Sequence, residues 1–412
     1  MVLNLTSTTI LSLLIAFFSA FLMFLVNIFL GNFLDVETFG KYSVIRNSII
    51  FIPLVINLGI SNSITIIHKK VNVFDYNWHF IFNRSFLISF FVCLLCCCCF
   101  SYFFNFSNIE FSLIFLINLF LGRIILANSI FRLSSNFILA QITRNLWRFI
   151  FLLLLILTFY LKVFDSNILM ILILIFSSIL IALFFVLYKE NHLSNGKKVL
   201  SYENVLKYGF MFFLLGLCET FLSQLDKFLI GYDLGYSIVG NYSIISLIPL
   251  TTYNISASSI GLIIMPYIIN NKKDFSLLKN VLIIIILIPV LIYMLLTFQG
   301  INITKLLFNI EFQSESWIQI DYKSLFLYSN FLGLLQYLQL IAYFLIGAFL
   351  NEKDIRNITF LNILIIILFF IFITNFSSIN SINQYLIYFI LIWKLRLIIN
   401  FYYLFKNFFN TN

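Results

Sequence analysis

VLIIIILIPVLIYMLLTF, residues 281–298, runs for eighteen residues without a charge. At about 1.5 Å of rise per residue an α-helix of that length covers roughly 27 Å, close to the hydrocarbon thickness of a bilayer at about 30 Å. The run shows no alternation of apolar and polar positions, so it does not read as a strand of a membrane β-barrel. Helices are what remains, because a backbone in lipid has no water to satisfy its N–H and C=O groups. The rest of the chain carries the same signature: 62% of its 412 residues are hydrophobic and 10% charged, with a mean hydropathy of +1.05. A soluble domain carries roughly a quarter charged residues and has nowhere to hide so much apolar surface.

Breaking the chain where charge, Asn, Ser and Gly cluster predicts twelve spans. They fall at about 8–30, 42–66, 81–104, 111–131, 147–161, 168–188, 208–230, 242–266, 278–299, 324–347, 358–374 and 383–404. The first run is too long for a signal-peptide core and lacks a basic start, so it is expected to be a helix of the mature protein. Alternate loops differ in charge. One set holds Lys69, Lys70, Arg132, Arg144, Arg148, Lys189, Lys197, Lys198, Lys207, Lys272, Lys273, Lys279, Lys353, Arg356 and Lys406, and the other only Lys41, Lys162, Lys305 and Lys323. Under the positive-inside rule the first set, with both termini, is expected in the cytoplasm. The opposite loops are short and acidic, with no room for a soluble catalytic domain.

The net charge of +9 is scattered through short loops rather than gathered into a basic stripe, so topology and not nucleic acid explains it. Cys93, Cys96, Cys97, Cys98 and Cys99 share one apolar run and Cys218 another. Contiguous cysteines on one helix point in different directions and match no metal-ligand spacing. His68, His79 and His192 fall in expected cytoplasmic loops. No phosphate-binding loop, dinucleotide fingerprint or zinc motif occurs, so no cofactor and no direct use of ATP are expected.

The chain also repeats itself. GNFLDVETFGKYSVI at 31–45 aligns without gaps with GYDLGYSIVGNYSII at 231–245, and Gly31, Leu34, Gly40, Tyr42, Ser43 and Ile45 recur at an offset of 200. Leu and Ile coincide cheaply in so apolar a chain, but two Gly and a Tyr-Ser pair in register do not, given only 14 Gly. Six spans separate the copies, and an even number restores orientation. The expected fold is therefore all-α, two six-helix bundles, 1–200 and 201–412, related as parallel repeats about an axis along the membrane normal, with the boundary in KENHLSNGKK at 189–198. Two such bundles suit a transporter with alternating access, and a scaffold is the bland alternative.

FLDVETFGKYS (33–43) followed by VINLGISNSI (55–64), with LDKFLIGYDLGYSIVGNYSII (225–245) followed by IMPYI (264–268), resembles the polysaccharide-exporter branch of the multidrug/oligosaccharidyl-lipid/polysaccharide flippase superfamily, and within it the Wzx-type O-antigen flippases. Asp35-Val36 stand where that family has Gly-Pro, and Asn57 where it has Asp. The resemblance implies movement of undecaprenyl-pyrophosphate-linked oligosaccharide from the cytoplasmic to the periplasmic leaflet of a bacterial inner membrane, through a cationic cavity. It also implies a polymerase and a chain-length regulator as pathway partners, and a transporter rather than an enzyme.

Charge at mid-bilayer is costly, so intramembrane ionisable residues are the candidates for function. Arg46, Arg123, Lys227, Lys394 and Arg396 are read as candidates for the anionic head of such a cargo, with Arg84 near a helix end. Arginine offers paired charge-assisted hydrogen bonds and lysine a compact charge. Each of these cations has a structural alternative, an intramembrane ion pair or a snorkelling side chain. Glu219 and Asp226, seven residues apart, lie on nearly one helical face and are candidates for coupling to a proton gradient. A polymerase-type membrane glycosyltransferase and a small-molecule exporter are the rival functions. The short loops weigh against the first and the excess of intramembrane cations against the second.

Overall fold

The computed structural model describes residues 7–60, 78–133, 136–190, 202–270, 275–308, 322–350, 352–376 and 381–410. Most of the boundary stretch, together with His68 and His192, lies outside them, as do the side chains of His79 and Arg84. Twelve helices occur among the described residues: α1 (Ser7–Phe33), α2 (Val36–Ile56), α3 (Trp78–Phe104), α4 (Asn108–Leu133), α5 (Phe137–Tyr160), α6 (Ile168–Glu190), α7 (Tyr202–Asp233), α8 (Tyr236–Asn270), α9 (Phe275–Phe308), α10 (Tyr322–Phe349), α11 (Glu352–Phe376) and α12 (Ile382–Asn410). Ten of them are long and apolar enough to cross a bilayer. The other two, α7 and α8, contain 32 and 35 residues, enough for roughly 48 and 52 Å of helix.

Local chemistry sets the breaks. Asp35 caps α2 by accepting the Thr38 N–H at 3.0 Å, which satisfies a donor that no helical carbonyl reaches. At the equivalent point 200 residues on, Gly235 turns the chain at φ +89°, a left-handed conformation that glycine adopts without strain. The two junctions keep the sequence repeat in register: α1 ends at Phe33 and α7 at Asp233, and α2 starts at Val36 and α8 at Tyr236. Ser107 and Glu110 open α4 with a reciprocal capping box, the Ser107 N–H donating to Oε2 at 2.8 Å and the Glu110 N–H to the serine Oγ at 3.4 Å.

The chain divides into two compact units, one of residues 1–224 with 231–236 and the other of 225–230 with 237–412. In the first, α4 packs against α2, α3, α5 and α6, and α5 also against α1. In the second, α12 packs against α10 and α11, and α10 against α9. The outward faces are apolar: α3 exposes Phe86, Leu87, Phe91 and Leu95, and α6 exposes Ile173, Ile181 and Phe184, the surface that lipid covers.

One boundary differs from its expected place in a way that matters. α5 starts at Phe137, ten residues before the expected 147, with Asn136 accepting the Leu139 N–H at 3.2 Å as its cap. The segment FILAQITRNL mixes Gln141, Thr143, Arg144 and Asn145 with apolar residues, but it is amphipathic and holds no helix breaker, so the helix runs through it. Arg144 therefore belongs to the helix and not to the preceding loop, and Arg148 moves from the expected edge of the span to its middle. Arg148 is the twelfth of 24 residues.

Candidate functional site

In the first unit α1 carries a polar seam that bonds to both α2 and α5. From α2, Arg46, the eleventh of 21 residues, donates from Nη1 to Asn27 Oδ1 of α1 at 2.6 Å. Tyr42, one turn earlier, donates to the same oxygen at 3.4 Å. Asn27 is held for this by its own amide, which donates to the Met23 carbonyl at 2.6 Å. From α5, Arg148 donates from Nη1 to Ser19 Oγ at 3.1 Å, and its guanidinium lies 5.6 Å from the Trp147 ring centroid. Ser19 passes the bond on, donating to Asn145 Oδ1 at 2.8 Å, and the Asn145 amide donates to the Gln141 carbonyl at 2.9 Å and to Gln141 Oε1 at 3.2 Å.

The electrostatics of the seam are one-signed. Arg148 feels the positive charges of Arg144 and Arg46, and Arg144 that of Arg132. Arg132 and Arg144 are exposed, whereas Arg46 and Arg148 are half-buried. Arg46 donates to an amide oxygen and Arg148 to a hydroxyl, and Arg148 Nε has no hydrogen-bond partner among the described residues. Guanidinium groups at the midpoints of two spanning helices are the kind of group that forms charge-assisted hydrogen bonds with anions.

The other candidates are placed differently. Arg123 makes a two-pronged ion pair with Glu190, Nη1 to Oε1 at 2.8 Å and Nη2 to Oε2, which ties α4 to the end of α6. In the second unit Asp226 is 1% exposed and accepts from the Tyr242 hydroxyl at 2.5 Å and the Lys227 N–H at 2.8 Å. Lys227, beside it, is 7% exposed. Arg396 is fully buried: its Nε donates to Asn362 Oδ1 at 2.7 Å, its guanidinium stands 5.0 Å from the Trp393 ring, and the Asn362 amide reaches Asn400 at 3.3 Å. Lys394, two residues away, is exposed on another face of α12, with Nζ 5.2 Å from the Phe331 ring. Glu219 is half-buried on α7. The structure thus brings Asp226 and Lys227 together, separates Lys394 from Arg396, and neutralises Arg123 inside the protein.

Arg144 and Arg148 escaped the sequence reading, which placed the first in a loop and the second at the edge of a span. The available signal was the spacing of Gln141, Arg144, Asn145 and Arg148, the 3-4-7 pattern of one polar helical face. Elsewhere in the first unit, a cavity of about 440 Å³ at the α1–α2 turn is lined by Asp35, Glu37, Lys41, Asp165 and Tyr236. It has the opposite sign to the seam, since Lys41 is paired with Glu110 at 2.6 Å.

Known proteins resemble this chain in fold. A MOP superfamily transporter from Pyrococcus furiosus, described by the reversed polarity of its binding pocket, aligns with a TM-score of 0.64 and 12% identity over 97% of this chain and 95% of its own. The MATE multidrug transporter DinF-BH gives 0.69 and 15% over 97% and 94%. The lipid II flippase MurJ, in an inward closed conformation, gives 0.62 and 17% over 96% and 86%. At these identities the likeness establishes the fold, the two six-helix repeats of that superfamily. No curated protein matches the chain. A family model described as "Polysaccharide biosynthesis protein" matches residues 5–272, well over half of the sequence, and the chain belongs to that family of polysaccharide biosynthesis membrane proteins.

Proposed function

We propose that this protein is a flippase that carries undecaprenyl-pyrophosphate-linked oligosaccharide, an O-antigen or similar repeat unit, from the cytoplasmic to the periplasmic leaflet of a bacterial inner membrane. The observation that carries the reading is the pair of arginines at mid-helix, Arg46 donating to an amide oxygen and Arg148 to a hydroxyl, with Arg144 one turn before Arg148 on the same helix. A pyrophosphate leaving water loses strong solvation, and guanidinium groups replace it with charge-assisted hydrogen bonds. The family membership and the flippase named among the similar folds support the same reading. The two halves, 1–200 and 201–412, act as the moving bundles of alternating access, with both termini cytoplasmic. The pathway's polymerase and chain-length regulator are its expected partners.

Within this reading the seam takes the pyrophosphate, and Lys227 and Lys394 are further candidates in the second unit. Arg123 and Arg396, bonded to Glu190 and Asn362, hold helices together. Asp226, with Glu219 on the same helix, carries the coupling proton, and Tyr242 holds the carboxylate in place. The test is the surface polysaccharide of a strain lacking the gene, together with its inner-leaflet pool of lipid-linked units, with and without the gene restored. Complete units stranded on the inner leaflet support the flippase. Units that reach the outer leaflet unpolymerised point to a polymerase, and unchanged polysaccharide points to a small-molecule exporter.

A further inference from the structure

Lys394 stands two residues from the midpoint of α12, a helix of 29 residues. The helix ends lie roughly 18 and 24 Å away along the axis, farther than a four-methylene arm can snorkel. Its neighbours on the exposed face are largely apolar. Ile387, Leu391, Ile398 and Tyr402, 42, 50, 66 and 61% exposed, continue the same stripe at steps of three and four residues, while Phe389, Trp393, Arg396 and Asn400 bury the opposite face. Among the described residues no carboxylate lies within ion-pair distance of Nζ; its recorded neighbour is the Phe331 ring of α10 at 5.2 Å. A ring face returns only part of what an ammonium costs at this depth.

Two chemistries are therefore left open side by side, an apolar stripe and a cation at mid-depth. A resident phospholipid matches the stripe but not the cation, because its phosphate sits at the interface, about 15 Å from the centre of a ~30 Å core. A lipid whose phosphate is being carried across the bilayer matches both. We propose that Lys394 and its stripe form a half-way station for the phosphate of an isoprenoid-type lipid in transit, whose hydrocarbon chain lies along Leu391 and Ile398. This rests on the flippase reading. It adds where the cargo's lipid end travels, along a face of the second unit.

The lysine interaction exists only while the head is at mid-depth, so it acts on rate. In a strain lacking the gene and complemented in turn with wild type, Lys394→Met and Lys394→Arg, radiolabelled lipid-linked units are followed from inner to outer leaflet. Lys394→Met is expected to slow transfer about tenfold, the loss of one charge-assisted contact, and Lys394→Arg to restore it. In membranes of the same strain, a photo-crosslinking residue at Leu391 or Ile398 is expected to capture isoprenoid phosphate, identified by mass spectrometry, and one at the exposed Ile181 of α6 is not. Transfer at wild-type rate in Lys394→Met overturns the inference while the flippase reading stands. Capture of phospholipid alone at positions 391 and 398 overturns it too. If the strain lacking the gene strands no units at all, both readings fall together.

Discussion

Replacing Arg148 with Gln separates a residue that holds the protein together from one that holds a cargo. In the structure Arg148 gives one hydrogen bond to Ser19 at 3.1 Å and lies over Trp147 at 5.6 Å. Losing these costs about 0.5–1.5 kcal/mol for the bond and about 0.5–1 kcal/mol for the ring contact. Ser19 still donates to Asn145, so no buried group is orphaned. Against this, removing the charge relieves repulsion from Arg144 and Arg46. Like charges at roughly 8–15 Å repel by about 1–2 kcal/mol per pair at an effective dielectric of ~20. The terms offset, so thermal unfolding in detergent is expected within about 1 kcal/mol of wild type or slightly above it. Cargo handling is expected to fall much further. A charge-assisted bond to phosphate is worth about 1.5–3 kcal/mol, which is roughly a 10- to 150-fold loss in transfer of lipid-linked units. Arg148→Lys keeps the charge and is expected to fall between the two. A Gln variant that unfolds several degrees earlier and loses transfer only in proportion to folded protein would refute the argument and make Arg148 structural.

Glu190→Gln leaves Arg123 buried without its carboxylate and is expected to destabilise by about 3–5 kcal/mol, whereas Glu190→Gln with Arg123→Met recovers most of that; thermal unfolding of the three proteins checks it. Asp35→Ala removes the α2 cap at a cost of about 1 kcal/mol, and Asp35→Asn far less, read by the same melts. The Thr38 N–H holds the Asp35 carboxyl below its ordinary value, so this contribution is present at neutral pH and is lost only as pH falls below about 4. Such loss should be absent from the Asn variant. Gly333→Ala places a methyl 2.5 Å from the Tyr253 ring, which is bonded to Asn330 and cannot retreat freely. Overpacking of about 1–3 kcal/mol is expected, checked by the melting temperature, with a compensating Tyr253→Leu change recovering part of it.

Much of the architecture was legible because the bilayer permits few alternatives. Once residues 281–298 are read as a span, their length and lack of alternation exclude a barrel strand, and the other apolar runs fall into place as helices. What was not legible is the part where polar residues enter a helix. Arg144 lies where Gln141, Thr143 and Asn145 also interrupt the apolar run, and the shared face of residues 141, 144, 145 and 148 marks that segment as helix. Arg123 failed to disclose itself for a different reason. Its partner Glu190 is 67 positions away and falls where the sequence suggests a basic cytoplasmic stretch, so no local pattern marks the pair. Lys394 and Arg396 look alike in sequence, yet two residues turn a helix by roughly 200°, which sends one outward and the other into the core.

The repeat shows how backbone and chemistry part company after duplication. Gly40, Tyr42, Ser43 and Ile45 recur as Gly240, Tyr242, Ser243 and Ile245, and both tyrosines are buried, each donating its hydroxyl to a polar side chain of the preceding helix. That much follows from the frame: a helix break at a fixed place and a tyrosine whose hydroxyl needs an acceptor. The acceptors differ. In the first half it is Asn27, which also receives Arg46; in the second it is Asp226, beside Lys227, and Ser246 stands where Arg46 would be. A neutral amide brings no charge of its own to the arginine, whereas a carboxylate one position out of register presents a group that can take up a proton. The shared residues therefore identify the fold, and the unshared ones, Asn27 with Arg46 against Asp226 with Lys227, divide anion binding and proton coupling between the halves in the reading proposed above.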